Sequence, residues 1–410
     1  LARTRKTGQH RNAHKQPQSQ VVAVYMPRVE LCAPKLAKMN SKNLNPSSFK
    51  NAFMQTLRGQ GNGLLTAHLY HEPAHDTGAK DTHDLGVDAA AKSRSNRLLY
   101  GGLAWEAFVQ EGGSYDILDS DMNAIEKAMK AGLIDKLPQT MNIIEYGPGG
   151  KSGVRKPAHL LQAIRQHPSG RTINSYTAVD ILNRFATESA LEIHEEFNLR
   201  AFAVVGDFTS KNKLALPRNT GSVPVATSFG GGFANAPDYS PIQGRNGKSN
   251  AAVHFSQMNR QHGLGSYLLM TYHCERDPAK LMEEYRRTEN LEAFILSGFV
   301  RAIGEGVIID KGYDPFSHWE IDPTYDDKIH AVIEYAVCKD DHSVATREET
   351  FHFKQGARIP MTLSHKWNKA DYKEILGKAG YEIMNDASNE NETSPHGIIL
   401  AKAVRKPSCP

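Results

Sequence analysis

The chain has 410 residues, 40% apolar and 23% charged, with a formal net charge of +4. That is enough for two domains with their own cores, and it is an ordinary globular composition. No apolar run approaches the roughly 20 residues of a membrane helix, and four well-separated cysteines (Cys32, Cys274, Cys338, Cys409) form no Cys-x-x-Cys, which speaks against a disulfide framework or a cysteine-pair zinc site and for a reducing, cytoplasmic setting.

Residues 1–50 hold ten lysines and arginines against one acid, Glu30. Residues 1–60 are read as a basic, disordered arm, the one part of the chain expected to meet nucleic acid or another anionic surface. Residues 61–125 open with His68, His71, His75 and His83. His71 and His75 are four apart and Asp76 follows, as in a helical metal pair. Pro73 between them breaks such a helix, so a polar loop is expected and no metal is assigned. Arg97–Gln110 reads as a turn and a short amphipathic helix, and Asp121–Ala131 as a helix capped by Ser120.

Asn142–Tyr146 is an apolar, β-branched run that reads as a buried parallel strand. It ends in Gly147-Pro148-Gly149-Gly150-Lys151-Ser152, followed by a helix opening at Pro157. Strand, glycine turn and helix form the usual cofactor cradle of an open α/β sheet. A phosphate loop is excluded, because its first glycine would fall on Glu145, and a dinucleotide fingerprint lacks its third glycine. An acid at the strand end followed by Gly-x-Gly is the usual first motif of S-adenosylmethionine-dependent methyltransferases. Ser175–Asp180 is a second strand ending in an acid, suited to paired ribose hydroxyls. Asn183–Phe197 is a helix, and Ala201–Val205 a third strand ending Gly206-Asp207-Phe208, an acid and an aromatic for an adenine ring. Val223–Ser228 is a fourth strand opening into Phe229-Gly230-Gly231-Gly232-Phe233-Ala234-Asn235. Further expected elements are a helix at Ala251–Gln261, a strand at Ser266–Tyr272, a helix capped by Asp277, and a helix from Leu291 to Ile303. After these come strands at Ile329–Cys338, Glu349–Phe353 and Arg358–Ser364, a helix at Lys369–Ala379 and a last strand at Gly397–Ala403.

The order IIEYGPGG, YTAVD, GDF, SFGGGFAN, LLMTYHCERDPAKLMEEY and IPMTLSHKWNKADYKEILGKAGY resembles the histidine-specific methyltransferase family over residues 95–403. That family makes trimethylhistidine on the way to ergothioneine, and it is related to fungal enzymes acting on tryptophan-derived amines. The resemblance implies an α/β, Rossmann-like methyltransferase core with an inserted α+β substrate-binding domain. The core would span 126–285, with the inserted domain built from 61–125 and 286–380 and residues 381–410 returning a strand to the core. It implies that Glu145, Gly147, Gly149, Lys151, Asp180, Asp207 and Phe208 hold S-adenosylmethionine. Asn235 and Tyr115 would hold the substrate amine and act in catalysis, with Tyr100, Tyr285, Thr362 and Ser364 also facing the substrate. The family reads imidazole through a Glu-x-Ser segment, which here is Thr362-Leu363-Ser364. Loss of that charged acceptor, and the apolar Phe294-Ile295-Leu296, point to an amino acid or derived amine that need not be histidine. The expected reaction is direct displacement at the sulfonium methyl by a small-molecule amine. Methylation of a protein or RNA, and non-catalytic cofactor binding, are the alternatives.

Overall fold

The computed structural model describes residues 20–22, 46–59, 65–70, 101–111, 117–208, 214–217, 221–233, 235, 247–386 and 395–407. The main sheet has eight strands: β1 (Gln20–Val22), β2 (Thr140–Tyr146), β3 (Thr172–Asp180), β4 (Arg200–Val205), β5 (Val223–Ser228), β6 (Tyr267–His273), and two further strands from the C-terminal region. In the interior strands β2, β3 and β5 nearly every residue is buried toward the carboxyl end, as a parallel sheet covered on both faces requires. β4, β3, β2, β5 and β6 run parallel in that order.

Three more strands, β7 (Trp319–Asp326), β8 (Ala331–Cys338) and β11 (Arg358–His365), make a separate antiparallel sheet, and β9 (His342–Ala345) pairs with β10 (Thr350–Phe353) as a hairpin. β12 (Tyr381–Asp386) and β13 (His396–Ala403) then complete the main sheet, β13 lying antiparallel between β6 and β12. The strand order reverses between β2 and β5. Open α/β sheets bind ligands outside the carboxyl ends of the strands at such a point.

The second body is built around the helix Glu289–Gly304, which is apolar on nearly all sides and buried accordingly. Phe299 packs edge-on to Phe53 at 5.4 Å and against Trp319 at 5.3 Å. Phe53 belongs to the helix Pro46–Leu57, whose Phe49, Met54 and Leu57 are also buried in this core. The expected disordered arm therefore cannot extend to residue 60, because Phe49, Phe53, Met54 and Leu57 within it are part of a core. The helix Gly101–Gln110 packs against Glu289–Gly304, so a segment before the main sheet and one after it share this body.

Two expected boundaries move. The helix Lys369–Lys378 packs on the main sheet: Tyr372, Ile375 and Leu376 share a core with Phe255 and Met270. The second body thus ends near His365 rather than at residue 380. The helix Ile117–Lys130 spans the expected break at 125/126 and packs against β13 and the helix Arg155–Gln166; Ser120 lies inside it and is not its cap.

His254, on the helix Gly247–His262, is buried among Phe208, Phe233 and Phe255. Burial holds its ring neutral, lowering the pKa from 6.5 to about 4. Below pH 6.5 the unfolded chain accepts a proton that the folded chain refuses until about pH 4. Its contribution is therefore full above pH 6.5 and falls, by about 1.4 kcal/mol per pH unit, as pH drops through that window. A His254→Phe variant is expected to lose this slope. Denaturant unfolding at pH 7 and pH 5 should show the wild type losing about 2 kcal/mol more than the variant; parallel losses would refute the assignment.

Candidate active site

The turn after β2 is built on left-handed backbone. Gly147, Gly149 and Gly150 have φ of 68°, 73° and 71°, where a side chain is strained. The Gly147 amide donates to the Val179 carbonyl at 2.9 Å, which ties the turn to the end of β3. Above it lies a cleft that opens to solvent. Its walls bring together Gly147, Gly149, Asp180, Asp207, Phe208 and Asn235, six of the residues named from the sequence.

Asp180 is buried at the carboxyl end of β3, and its Oδ1 accepts from the Leu182 amide at 2.9 Å. The turn-capping role and the cleft-lining role are thus filled by one side chain. Phe208 sits over the turn, edge-on to Tyr146 at 5.6 Å and to Phe233 at 5.8 Å, and so presents a supported aromatic face.

Two expected cofactor residues stand elsewhere. Lys151 is two-thirds exposed, 3.9 Å from Glu192, outside the cleft. The lysine that lines the cleft is Lys156, whose Nζ donates to Asp121 at 2.7 Å, both residues buried. It lies on the stripe Lys156–Leu160–Ile164, the buried face of its helix, and a charge on an apolar stripe is the sequence signal for it. Glu145 lies beneath the turn and accepts from the Tyr176 hydroxyl. Burial pushes its pKa up to about 8, so it is a protonated core residue near neutral pH and does not line the cleft.

Of the other residues named from the sequence, Tyr285, Thr362 and Ser364 do not line the cleft and stand at or beside the end of β11, which Asn235 reaches. Asn235 Oδ1 accepts from the His365 amide at 3.2 Å. On either side of His365, Ser364 Oγ and Lys366 Nζ meet the Tyr285 hydroxyl, each at 2.7 Å. Lys366 is 2% exposed and also reaches Ser364 Oγ at 3.1 Å and His273 Nδ1 at 3.2 Å. Burial lowers its pKa to about 8, against the pull of Glu284 and Glu334. Thr362 pairs across the strands with Glu334, which burial raises to about 8. A carboxyl group therefore does stand beside Thr362, on β8 rather than β11, and is held mostly uncharged near neutral pH. Lys366 and Glu334 had no sequence signal, because their meeting depends on strand register.

Tyr70 and Trp105 also line the cleft, and Phe294 stands behind them at 4.9 and 5.1 Å. Phe294, Ile295 and Leu296 do not themselves line it; they are core residues of their helix. Tyr100, Tyr115, His71, His75, Asp76 and His83 lie outside the described residues.

The residues fit S-adenosylmethionine: a glycine turn without side chains, a buried carboxylate at the next strand end, and an acid–aromatic pair at the one after. Strand order, antiparallel β13 and this cleft together define a Rossmann-like, S-adenosylmethionine-dependent methyltransferase. The profile described as "Histidine-specific methyltransferase, SAM-dependent" matches residues 106–397. The chain belongs to that family. Similar solved structures include an S-adenosylmethionine-dependent methyltransferase from Clostridium acetobutylicum ATCC 824, at 9% identity and TM-score 0.36, covering 73% of this chain and 96% of that one. Another is the 1,6-didemethyltoxoflavin-N1-methyltransferase of Burkholderia thailandensis, at 9% identity and TM-score 0.36, covering 74% and 88%. A third is the amino pentose methyltransferase CalS10 from Micromonospora echinaspora, at 13% identity and TM-score 0.30, covering 75% and 98%. No curated protein matches the chain.

Proposed function

We propose that the enzyme methylates the amino group of an amino acid or an amino-acid-derived amine, with Asn235 orienting that amine. The observation that carries this reading is the position of Asn235, on the cleft wall and bonded to β11 between Ser364 and Lys366. One side chain thereby belongs both to the cleft and to a buried polar cluster suited to the rest of an amino acid.

Bound S-adenosylmethionine supplies a sulfonium-activated methyl group. Asp180 is the acceptor for ribose hydroxyls, Phe208 is the face for an adenine ring, and Asp207 is the acceptor for an exocyclic amine. An amine attacks only when neutral, and a free α-amino group is largely protonated near pH 7. Its proton must leave to water before attack. Asn235 Oδ1 has two lone pairs, one taken by the His365 amide, and the other receives a substrate N–H. That contact fixes the direction of the nitrogen lone pair, and such alignment contributes several kcal/mol. Tyr285, Thr362 and Ser364 are assigned to the substrate's polar groups, with Tyr100 and Tyr115 completing the acceptor side. The apolar wall of Tyr70 and Trp105 favours a flat or apolar substituent over a small polar one.

Calorimetric titration tests the reading. S-Adenosylhomocysteine is expected to bind first, and histidine, tryptophan and their decarboxylated amines are then titrated into the saturated protein. At least one should bind and turn over with S-adenosylmethionine. Cofactor binding with no response to any amino acid or amine would overturn the substrate class.

A further inference from the structure

A second group of side chains lies outside the methyl-transfer cleft, where β7, β8 and β9 meet. His318 immediately precedes β7, Cys338 ends β8, Asp340 stands on the turn into β9 and His342 opens β9. His318 Nδ1 is 2.9 Å from Asp340 Oδ1, and His342 Nδ1 is 3.4 Å from the same oxygen. Cys338 Sγ is 3.3 Å from His342 Nδ1. One ligand atom from each of His318, Asp340 and His342 falls within 4.8 Å of the other two.

We propose that His318, Asp340 and His342 form a structural site for a zinc-class divalent cation, with Cys338 as the fourth donor once its thiol, which donates to the Asp340 carbonyl at 2.9 Å, turns toward the ion. Ligands held at about 2.1 Å around a tetrahedral ion stand about 3.4 Å from one another. The His342–Asp340 and His342–Cys338 separations already have that size. Two imidazoles, one carboxylate and one thiol suit Zn²⁺ better than Mg²⁺ or Ca²⁺, which take oxygen. His342 also has an orienting partner: its Nε2 is 3.0 Å from the Tyr313 hydroxyl, which receives the indole N–H of Trp319. Metal-bound histidines commonly have their second nitrogen fixed in this way.

The metal-free arrangement is self-consistent. His318 pairs with Asp340, and His342 Nδ1 lies 3.1 Å from the Asp340 carbonyl. On metal binding the Cys338 thiol proton leaves to solvent, and the His342 proton moves to Nε2, where the Tyr313 oxygen accepts it. The His318 ring, stacked on His342 at 4.4 Å, must turn to aim Nδ1 at the ion, and its side chain is 30% exposed and so has room to do so. The ion would pin the two sheets of the second body at one corner. The residues are separated in sequence by up to 24 positions and form no recognised spacing, whereas the histidine-rich stretch weighed from the sequence lies mostly outside the described residues.

The test uses the full chain, freed of metal by chelation, with ZnCl₂ as the only ligand. One equivalent should bind and raise Tm by a few degrees at saturating metal. His318→Gln and Asp340→Asn should each abolish that shift while leaving the far-ultraviolet dichroism unchanged. Co²⁺ bound to the wild type should give a tetrahedral spectrum with a thiolate charge-transfer band, which Cys338→Ser removes. This last reading does not depend on the two ligand variants folding. No binding, binding that survives both ligand variants, or a cobalt spectrum without the sulfur band would each overturn the proposal.

Discussion

Asn235→Ala is expected to lower kcat/KM for the amine by about 10²-fold while leaving the Kd for S-adenosylhomocysteine within about twofold of wild type. The asymmetry follows from where the side chain is anchored. Its carbonyl is tied to β11 through the His365 amide, and the turn that holds the cofactor side is tied to β3 through Gly147. Removing Asn235 frees the acceptor without touching the cradle. The loss should fall mainly on kcat if the contact aims the nitrogen, and on KM if it only adds binding. Asn235→Asp separates these further. A carboxylate still accepts from the His365 amide and from a substrate N–H, but it favours the protonated amine and so suppresses attack. Its activity relative to wild type should recover only as pH rises above the amine's own pKa, whereas the deficit of Asn235→Ala relative to wild type should not change with pH. Unchanged turnover in both variants would remove Asn235 from the mechanism. Loss of S-adenosylhomocysteine binding would mean that the loop carrying it also supports the cradle.

Local pattern made the core legible, and register decided much of the rest. The helix Asn183–Phe197 and the strand Val223–Ser228 match their sequence readings end to end, because apolar period and glycine or polar stops agree there. β7 was not read from the sequence. Pro323 demotes it by the usual rule, and the structure places it at the edge of its sheet, where a missing amide is tolerated. The helix Lys369–Lys378 stands where the sequence pattern puts one, but it packs on the main sheet and not within the inserted domain, since the spacing of Tyr372, Ile375 and Leu376 announces an apolar face without saying what covers it. The same limit explains the site. Asp180, Asp207 and Phe208 end strands of one parallel sheet, so their order alone brings them to one edge. Glu334 meets Thr362 only through antiparallel pairing that shifts register between Pro360 and Thr362. A carboxyl group thus stands one strand from Thr362, mostly uncharged near neutral pH.

Gly153→Ala is expected to abolish S-adenosylhomocysteine binding and to destabilise the fold by about 3 kcal/mol or more. A Cβ at this position would lie 1.6 Å from the Pro148 carbonyl oxygen and 2.8 Å from its carbon, both backbone atoms of the cofactor turn. No rotamer relieves a contact with backbone, so either the turn or the following helix must move. The turn is fixed at one end by Gly147 on β3, and the helix Arg155–Gln166 is fixed by Leu160, Leu161 and Ile164 in the core beneath the sheet. The glycine that was missing from the fingerprint at residue 152 is supplied one residue later, and its role is close packing of the short helix Gly150–Gly153 onto the turn. Gly170→Ala makes a contrasting control. It has positive φ, at 66°, which Gly153 does not, and a Cβ there meets nothing within 4 Å. That variant should lose about 1 kcal/mol from backbone strain and keep full cofactor affinity. A loss in Gly153→Ala no larger than in Gly170→Ala would show that the contact with Pro148 is relieved at little cost. A Gly153→Ala protein that still bound S-adenosylhomocysteine with wild-type affinity would show that the turn is free to open, and would move the cofactor's anchor from the glycine turn to Asp180 and Phe208.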